Sequence, residues 1–185
     1  KPRIFELLLK NGADPNLPVA GLHPINHAST VGLYKHLNLL FKNNAHDDNL
    51  DSNGNTCLQL SVLNQHPLCV QVIFNHNKQL IKIKNNAGNT ALHIAASNKN
   101  TEIIRMLLEY PLTHPAPRNN LDRTPLCAAV YSRDNINKYE NIKMLISKGS
   151  DVNVTCGNNL KILEHLLKEF TSLKDFNIDN IDITE

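Results

Sequence analysis

The stretch Gly88-Asn89-Thr90-Ala91-Leu92-His93-Ile94-Ala95-Ala96, followed by Ile103-Ile104-Arg105-Met106-Leu107-Leu108, holds the essentials of one structural unit. Thr90 stands where a helix should begin, and its hydroxyl can accept a hydrogen bond from an amide that the first turn leaves unpaired. The alanine pair lets this first helix lie close against its neighbours, while the leucine-rich second stretch supplies most of the area to be buried. The opening phrase recurs as Gly21-Leu22-His23-Pro24-Ile25, Gly54-Asn55-Thr56-Cys57-Leu58 and Asp122-Arg123-Thr124-Pro125-Leu126. The four copies begin at positions 21, 54, 88 and 122, an almost constant interval. A fixed period of that length predicts helix pairs that bury their apolar faces only by stacking.

Other positions agree with this register. Pro24 and Pro125 fall at the first helical position, where a missing N–H costs nothing. Gly12 and Gly149 close the second-helix stretches Leu7-Leu8-Leu9-Lys10-Asn11-Gly12 and Leu145-Ile146-Ser147-Lys148-Gly149, as left-handed C-terminal caps. Thr124 lies further from Met144 than Thr90 does from Met106, so the fourth unit should carry a protruding polar loop within Ser132 to Glu140, Asp134 included. The stretch Leu160 to Phe170 lacks the opening phrase but alternates apolar and charged faces at helical spacing, as an amphipathic cap or a handover helix would. The three lysines between Lys78 and Lys84 read as a solvated, repeat-closing loop.

The chain resembles the ankyrin repeat family, through Asn89 to Ala96, Thr124-Pro125-Leu126, and the closing phrases Gly12-Ala13-Asp14-Pro15-Asn16 and Gly149-Ser150-Asp151-Val152-Asn153. The resemblance implies an all-α solenoid of stacked helix-turn-helix units with short hairpin-like loops. It divides the chain into a half repeat at 1–17, full repeats at 18–50, 51–84, 85–118 and 119–155, a degenerate capping unit at 156–170, and at 171–185 an acidic tail or the start of a next region. Three departures stand out: His23 in place of the capping Thr, Asp122 in place of the turn Gly, and His93 alone at the family's histidine position. Asp122 weakens its turn without forbidding it, because Asp tolerates a left-handed backbone. The resemblance also implies that His93 ties neighbouring loops together.

Composition removes several function classes. Lys+Arg 19 against Asp+Glu 17 gives a net charge of only +2, so no bulk basic excess draws nucleic acid. No apolar run is long enough to cross a bilayer. The seven glycines sit mostly at repeat boundaries and form no phosphate-cradling loop. Cys57, Cys69, Cys127 and Cys156 are widely spaced with no C-x-x-C pair, which favours free thiols in a reducing, intracellular compartment. His23 and His27 share a helical spacing but have no third ligand, so no metal is expected. Cys127 and His93 hold equivalent positions in successive repeats, and both read as core rather than as a thiol and imidazole pair. No cofactor and no catalytic site are expected.

A solenoid without a pocket points to a protein-binding module acting as a monomer. The family's variable positions, mapped onto this register, place the binding surface at Val19, Ala20, Leu22, Thr30, Val31, Ser52, Asn53, Asn55, Leu63, Asn64, Asn86, Ala87, Asn89, Ser97, Asn98, Asn120, Leu121, Arg123, Tyr131 and Ser132. Arg123 and Tyr131 are the expected hot spots, ahead of Leu63 and Leu121. Asparagine is unusually abundant, a composition of AT-rich genomes, and the resemblance then implies a host-directed microbial effector. The alternative is the targeting or substrate-recognition part of a larger enzyme, since the helical pattern is already running at Ile4. The resemblance further implies asparaginyl hydroxylation at Asn153, with Asp151, Val152 and Leu145 in place, or at Asn16, with Asp14, Pro15 and Leu8.

Overall fold

A computed structural model describes residues 2–110, 116–132, 136–157 and 161–164. Within them the chain is helical: α1 (Pro2–Lys10), α2 (Pro24–Val31), α3 (Tyr34–Lys42), α4 (Cys57–Leu63), α5 (Pro67–His76), α6 (Ala91–Ser97), α7 (Thr101–Glu109), α8 (Pro125–Tyr131) and α9 (Lys138–Ser147). The helices form two rows. The short first helices α2, α4, α6 and α8 pack in sequence as an inner row, and α1, α3, α5, α7 and α9 pack in sequence as an outer row. Leucine and isoleucine from both rows, among them Leu37, Leu58, Ile73, Leu92, Ile104, Leu107, Leu126 and Leu145, are fully buried between them.

The expected capping chemistry holds at Thr56 and Thr124, whereas the Thr90 hydroxyl pairs with His93 Nδ1 at 2.9 Å. Thr56 accepts the Gln59 amide at 3.3 Å, and Thr124 accepts the Cys127 amide at 3.3 Å. His23, which stands in place of a Thr, makes no capping bond, and Pro24 starts that helix instead. Gly12, Gly149 and Asp122 have φ of 90°, 89° and 56°, the left-handed conformation expected of each. Gly54 and Gly88 answer a further need: a Cβ on either would collide with the Asn of the next loop, Asn86 and Asn120 respectively.

Adjacent repeats are tied by side chains that cap one helix and complete the following loop. His93 Nδ1 accepts the Thr90 N–H at 3.2 Å, and Nε2–H donates across to the Arg123 carbonyl at 2.9 Å. Gln59 does the same with an amide: its Oε1 accepts the Thr56 N–H at 2.9 Å while Nε2 donates to the Asn89 carbonyl at 2.8 Å. The loops are also laced to each other, with Asn86 N–H on the Asn53 carbonyl at 3.0 Å and Asn120 N–H on the Ala87 carbonyl at 3.1 Å. Asn85 and Asn119 bridge backward to Asn55 and Asn89 at 2.8 and 2.7 Å. At the opposite ends of the inner helices, His66 Nε2 reaches the Thr30 carbonyl at 3.1 Å and Asn98 Nδ2 the Val62 carbonyl at 2.7 Å.

Several expectations are corrected. Cys127 and Cys156 are joined by a disulfide rather than left as free thiols; stacking sets their Cα atoms 5.5 Å apart. Cys127 therefore forms no pair with His93. The Lys78 to Lys84 segment contains a 3-10 helix, Lys78–Lys82, because Leu80 and Ile81 turn into the core. The loop expected within Ser132 to Glu140 is shortened by α9, which begins at Lys138; residues 133–135 lie outside the described residues. Of the cap expected at Leu160 to Phe170, only residues 161–164 are described, with Lys161 bridged to Thr155 and Ile162 buried; the tail at 171–185 lies outside the described residues.

Two outcomes follow for stability. Leu107→Ala should cost about 2–5 kcal/mol in urea unfolding and Asn98→Ala far less, about 1 kcal/mol, the scale of a side-chain hydrogen bond. For His93, burial holds the imidazole below its ordinary titration range, and the Lys84 charge acts the same way against the carbonyls of Arg123 and Pro117. The unfolded chain takes up this proton near pH 6.5, whereas the folded chain takes it up only at lower pH, so stability is full above about pH 6.5 and falls as the pH drops toward the folded value. His93→Gln, which copies Gln59, should flatten that decline in midpoints measured across the range, with the remaining slope left to other histidines such as His36, also held low by burial.

Candidate binding groove

The inner row and its loops form one continuous groove of about 640 Å³ that crosses three repeats. One wall is made by loop residues, the other by the exposed sides of α4, α6 and α8. Each loop tip is shaped by an acid or amide at its base: Asp51, Asn85 and Asn119 accept two backbone N–H groups apiece through a single side-chain oxygen. The first of these turns presents Asn53, the second Asn86 and Ala87, and the third Leu121 and Arg123.

The groove gathers twelve of the expected contact residues: Asn53, Asn55, Leu63, Asn86, Ala87, Asn89, Ser97, Asn98, Leu121, Arg123, Tyr131 and Ser132. Their availability differs. Leu63 and Leu121 are 50% and 62% exposed, so both offer free apolar surface. Asn55 is buried, with its amide on Asp51 at 2.9 Å, and its side chain belongs to the loop rather than to any contact. Asn89 and Asn98 are half-buried and engaged between repeats, and the Ser132 hydroxyl donates to the Ser97 carbonyl at 3.0 Å. Of the rest, Val19, Ala20 and Leu22 form an exposed loop tip closed by a bridge between Val19 and Leu22. Thr30 and Val31 lie exposed at the end of α2, Asn64 is exposed after α4, and Ser52 and Asn120 are exposed loop residues outside the groove lining.

At one end of the groove the Arg123 guanidinium lies over the Tyr131 ring, 4.7 Å from its centroid, and the Tyr131 hydroxyl donates to the Cys156 carbonyl at 3.4 Å. The disulfide between Cys127 and Cys156 fixes the strand of chain to which that hydroxyl is bonded. Ile94 and Ala128 on the groove lining, and the tie at Gln59, went unnoticed in the sequence. Counting back one repeat from His93 would have found Gln59.

The thiols and imidazole are in no state to react. Burial pushes the Cys57 thiol up to about 12 and the Cys69 thiol to about 11, and both nitrogens of His93 are held by hydrogen bonds. Among the described residues no group of His, Cys, Asp or Glu is placed to hold a metal ion, and no helix is long and apolar enough to cross a membrane. Asn16 gives its side-chain oxygen to the His46 N–H at 2.8 Å and its amide to the Asn44 carbonyl at 3.3 Å, whereas Asn153 is exposed in a turn where its N–H meets Asp151 at 2.8 Å.

Comparison with known proteins places this architecture. The family described as ankyrin repeats (3 copies) matches residues 77–156. An ankyrin repeat protein of fowlpox virus (strain NVSL) is 29% identical over 204 aligned positions, covering 96% of this chain and 58% of that protein. Mouse Rabankyrin-5 is 24% identical, over 79% of this chain and 13% of its own length. A Caenorhabditis elegans homolog of transient receptor potential cation channel subfamily A member 1 is 26% identical, over 70% of this chain and 10% of its own. The chain thus spans little more than half of the viral relative and a small part of the other two. The repeated phrase, the two rows of helices and the family match all fall in one register, and residues 77–156 belong to the ankyrin repeat family.

Proposed function

We propose that this chain is a non-catalytic module that binds a partner protein along the groove and the loop tips. Ankyrin repeats are protein-interaction units, and the observation that carries the reading here is the Arg123 and Tyr131 stack at the end of an open groove with apolar surface at Leu63 and Leu121. Such aromatic and guanidinium groups dominate binding energy once a partner removes water from them. The absence of enzymatic activity is part of the proposal, supported by thiols held protonated and a histidine occupied by capping. A single chain is taken as the binding unit.

The setting we propose is intracellular, with a role toward host proteins. The viral relative and the asparagine-rich composition support it, and the Cys127–Cys156 bond is buried away from soluble reductants. A second reading, a recognition region within a larger enzyme, draws support from the greater length of all three relatives and would use the same groove. For hydroxylation the more accessible asparagine is Asn153, since the side chain of Asn16 is engaged in two bonds between repeats.

Replacing Arg123 and Tyr131 together by Ala should lower recovery of partners from cytosolic extract on the immobilised chain by about 30-fold or more, the effect of losing central hot spots. Thermal unfolding of the variant controls for the lost Tyr131 hydroxyl bond. Unchanged recovery of every partner by a folded double variant would overturn the placement.

A further inference from the structure

The sign of the groove narrows the chemistry of what it holds. Among the side chains that line it, Arg123 alone carries a formal charge, because His93 is neutral in its capping role. Arg123 is also unsatisfied. Its Nε–H is buried with no hydrogen-bond partner, and among the described residues no carboxylate pairs with its guanidinium. The neighbouring acid is already taken: Asp122 is held by Arg118 at 2.8 Å, and Arg118 reaches the Asp122 carbonyl at 2.8 Å as well. A guanidinium with no anion of its own is best met by two parallel bonds to one carboxylate. The Tyr131 ring restricts the guanidinium before any partner arrives, so little order is left to impose on binding.

We propose that the groove takes a segment of partner protein in which one Asp or Glu carboxylate, set among apolar residues, binds the Arg123 guanidinium. The inference rests on the groove reading above and names its partner class. The apolar neighbours of that carboxylate cover Leu121 and Leu63, both exposed. Phosphate is the poorer match. A dianion calls for several cations, and the nearby Lys84 amine is engaged with the Arg118 carbonyl at 2.7 Å. Nucleic acid fits worse still, because a backbone of phosphates needs a stripe of cations and this groove has one.

The test is selection from a random-peptide library on the full chain, followed by resynthesis of the enriched peptides with the acid as Asp, Asn or phosphoserine. Binding is then read by fluorescence anisotropy against the original chain, Arg123→Gln, Arg123→Lys and Leu121→Glu. The expected result is an acid at one fixed place among apolar residues, with affinity about tenfold lower for the Asn peptide or for Arg123→Gln, and partly kept by Arg123→Lys. An Asn peptide that binds as well as the Asp peptide, yet is lost in Leu121→Glu, overturns the carboxylate and leaves the groove reading intact. A phosphoserine peptide that binds more tightly than the Asp peptide overturns the carboxylate in favour of phosphate. Peptides indifferent to both Arg123 and Leu121, or no enrichment at all, overturn both readings.

Discussion

The constraint on which this molecule depends is the bond that leaves the start of one inner helix and ends in the loop of the next repeat. A single repeat is too small to bury a core, so the loops that link repeats must be positioned by something outside themselves. Gln59 and His93 do this by serving two repeats at once: one atom caps their own helix and another completes the turn of the repeat that follows. Once those turns are fixed, Asp51, Asn85 and Asn119 can gather the backbone amides of each tip, and the tips line up as one wall of a groove. The groove is therefore a by-product of stacking, and its free residues are those the scaffold has no use for.

Much of this was legible in the sequence, because the features that define the period act locally. A threonine cap, a proline in the first turn and a glycine at a left-handed position each impose their geometry within a few residues, and their recurrence marks the register. Asp122 is a fair case: its departure from glycine could be judged by backbone preference alone, and its φ of 56° agrees. What could not be read was partnership across repeats. Gln59 resembles an ordinary polar residue until its alignment with His93 is noticed. Cys127 and Cys156 are far apart along the chain with nothing local to couple them, and only the stacked arrangement brings them together.

The asparagines show the same divide. Their abundance reads as a compositional bias, yet Asn85, Asn86, Asn98, Asn119 and Asn120 all make bonds between repeats. An amide both donates and accepts, so it satisfies the mixed demands of a loop backbone without introducing charge. This leaves the groove nearly neutral despite its polarity, and makes the lone guanidinium at Arg123 stand out against it. The groove thus owes its electrostatic character to what the scaffold residues lack as much as to what Arg123 brings.

The four positions Asn26, Gln59, His93 and Cys127 occupy one place in successive units, and they differ in how firmly they join those units. Asn26 has its side-chain oxygen buried and unpaired, Gln59 and His93 form hydrogen bonds, and Cys127 forms a covalent bond. Considered mechanically, the array is a beam with unequal joints, weakest at Asn26 and strongest at Cys127, among these four. A long ligand would then meet a preformed seat at one end and a surface that bends to meet it at the other.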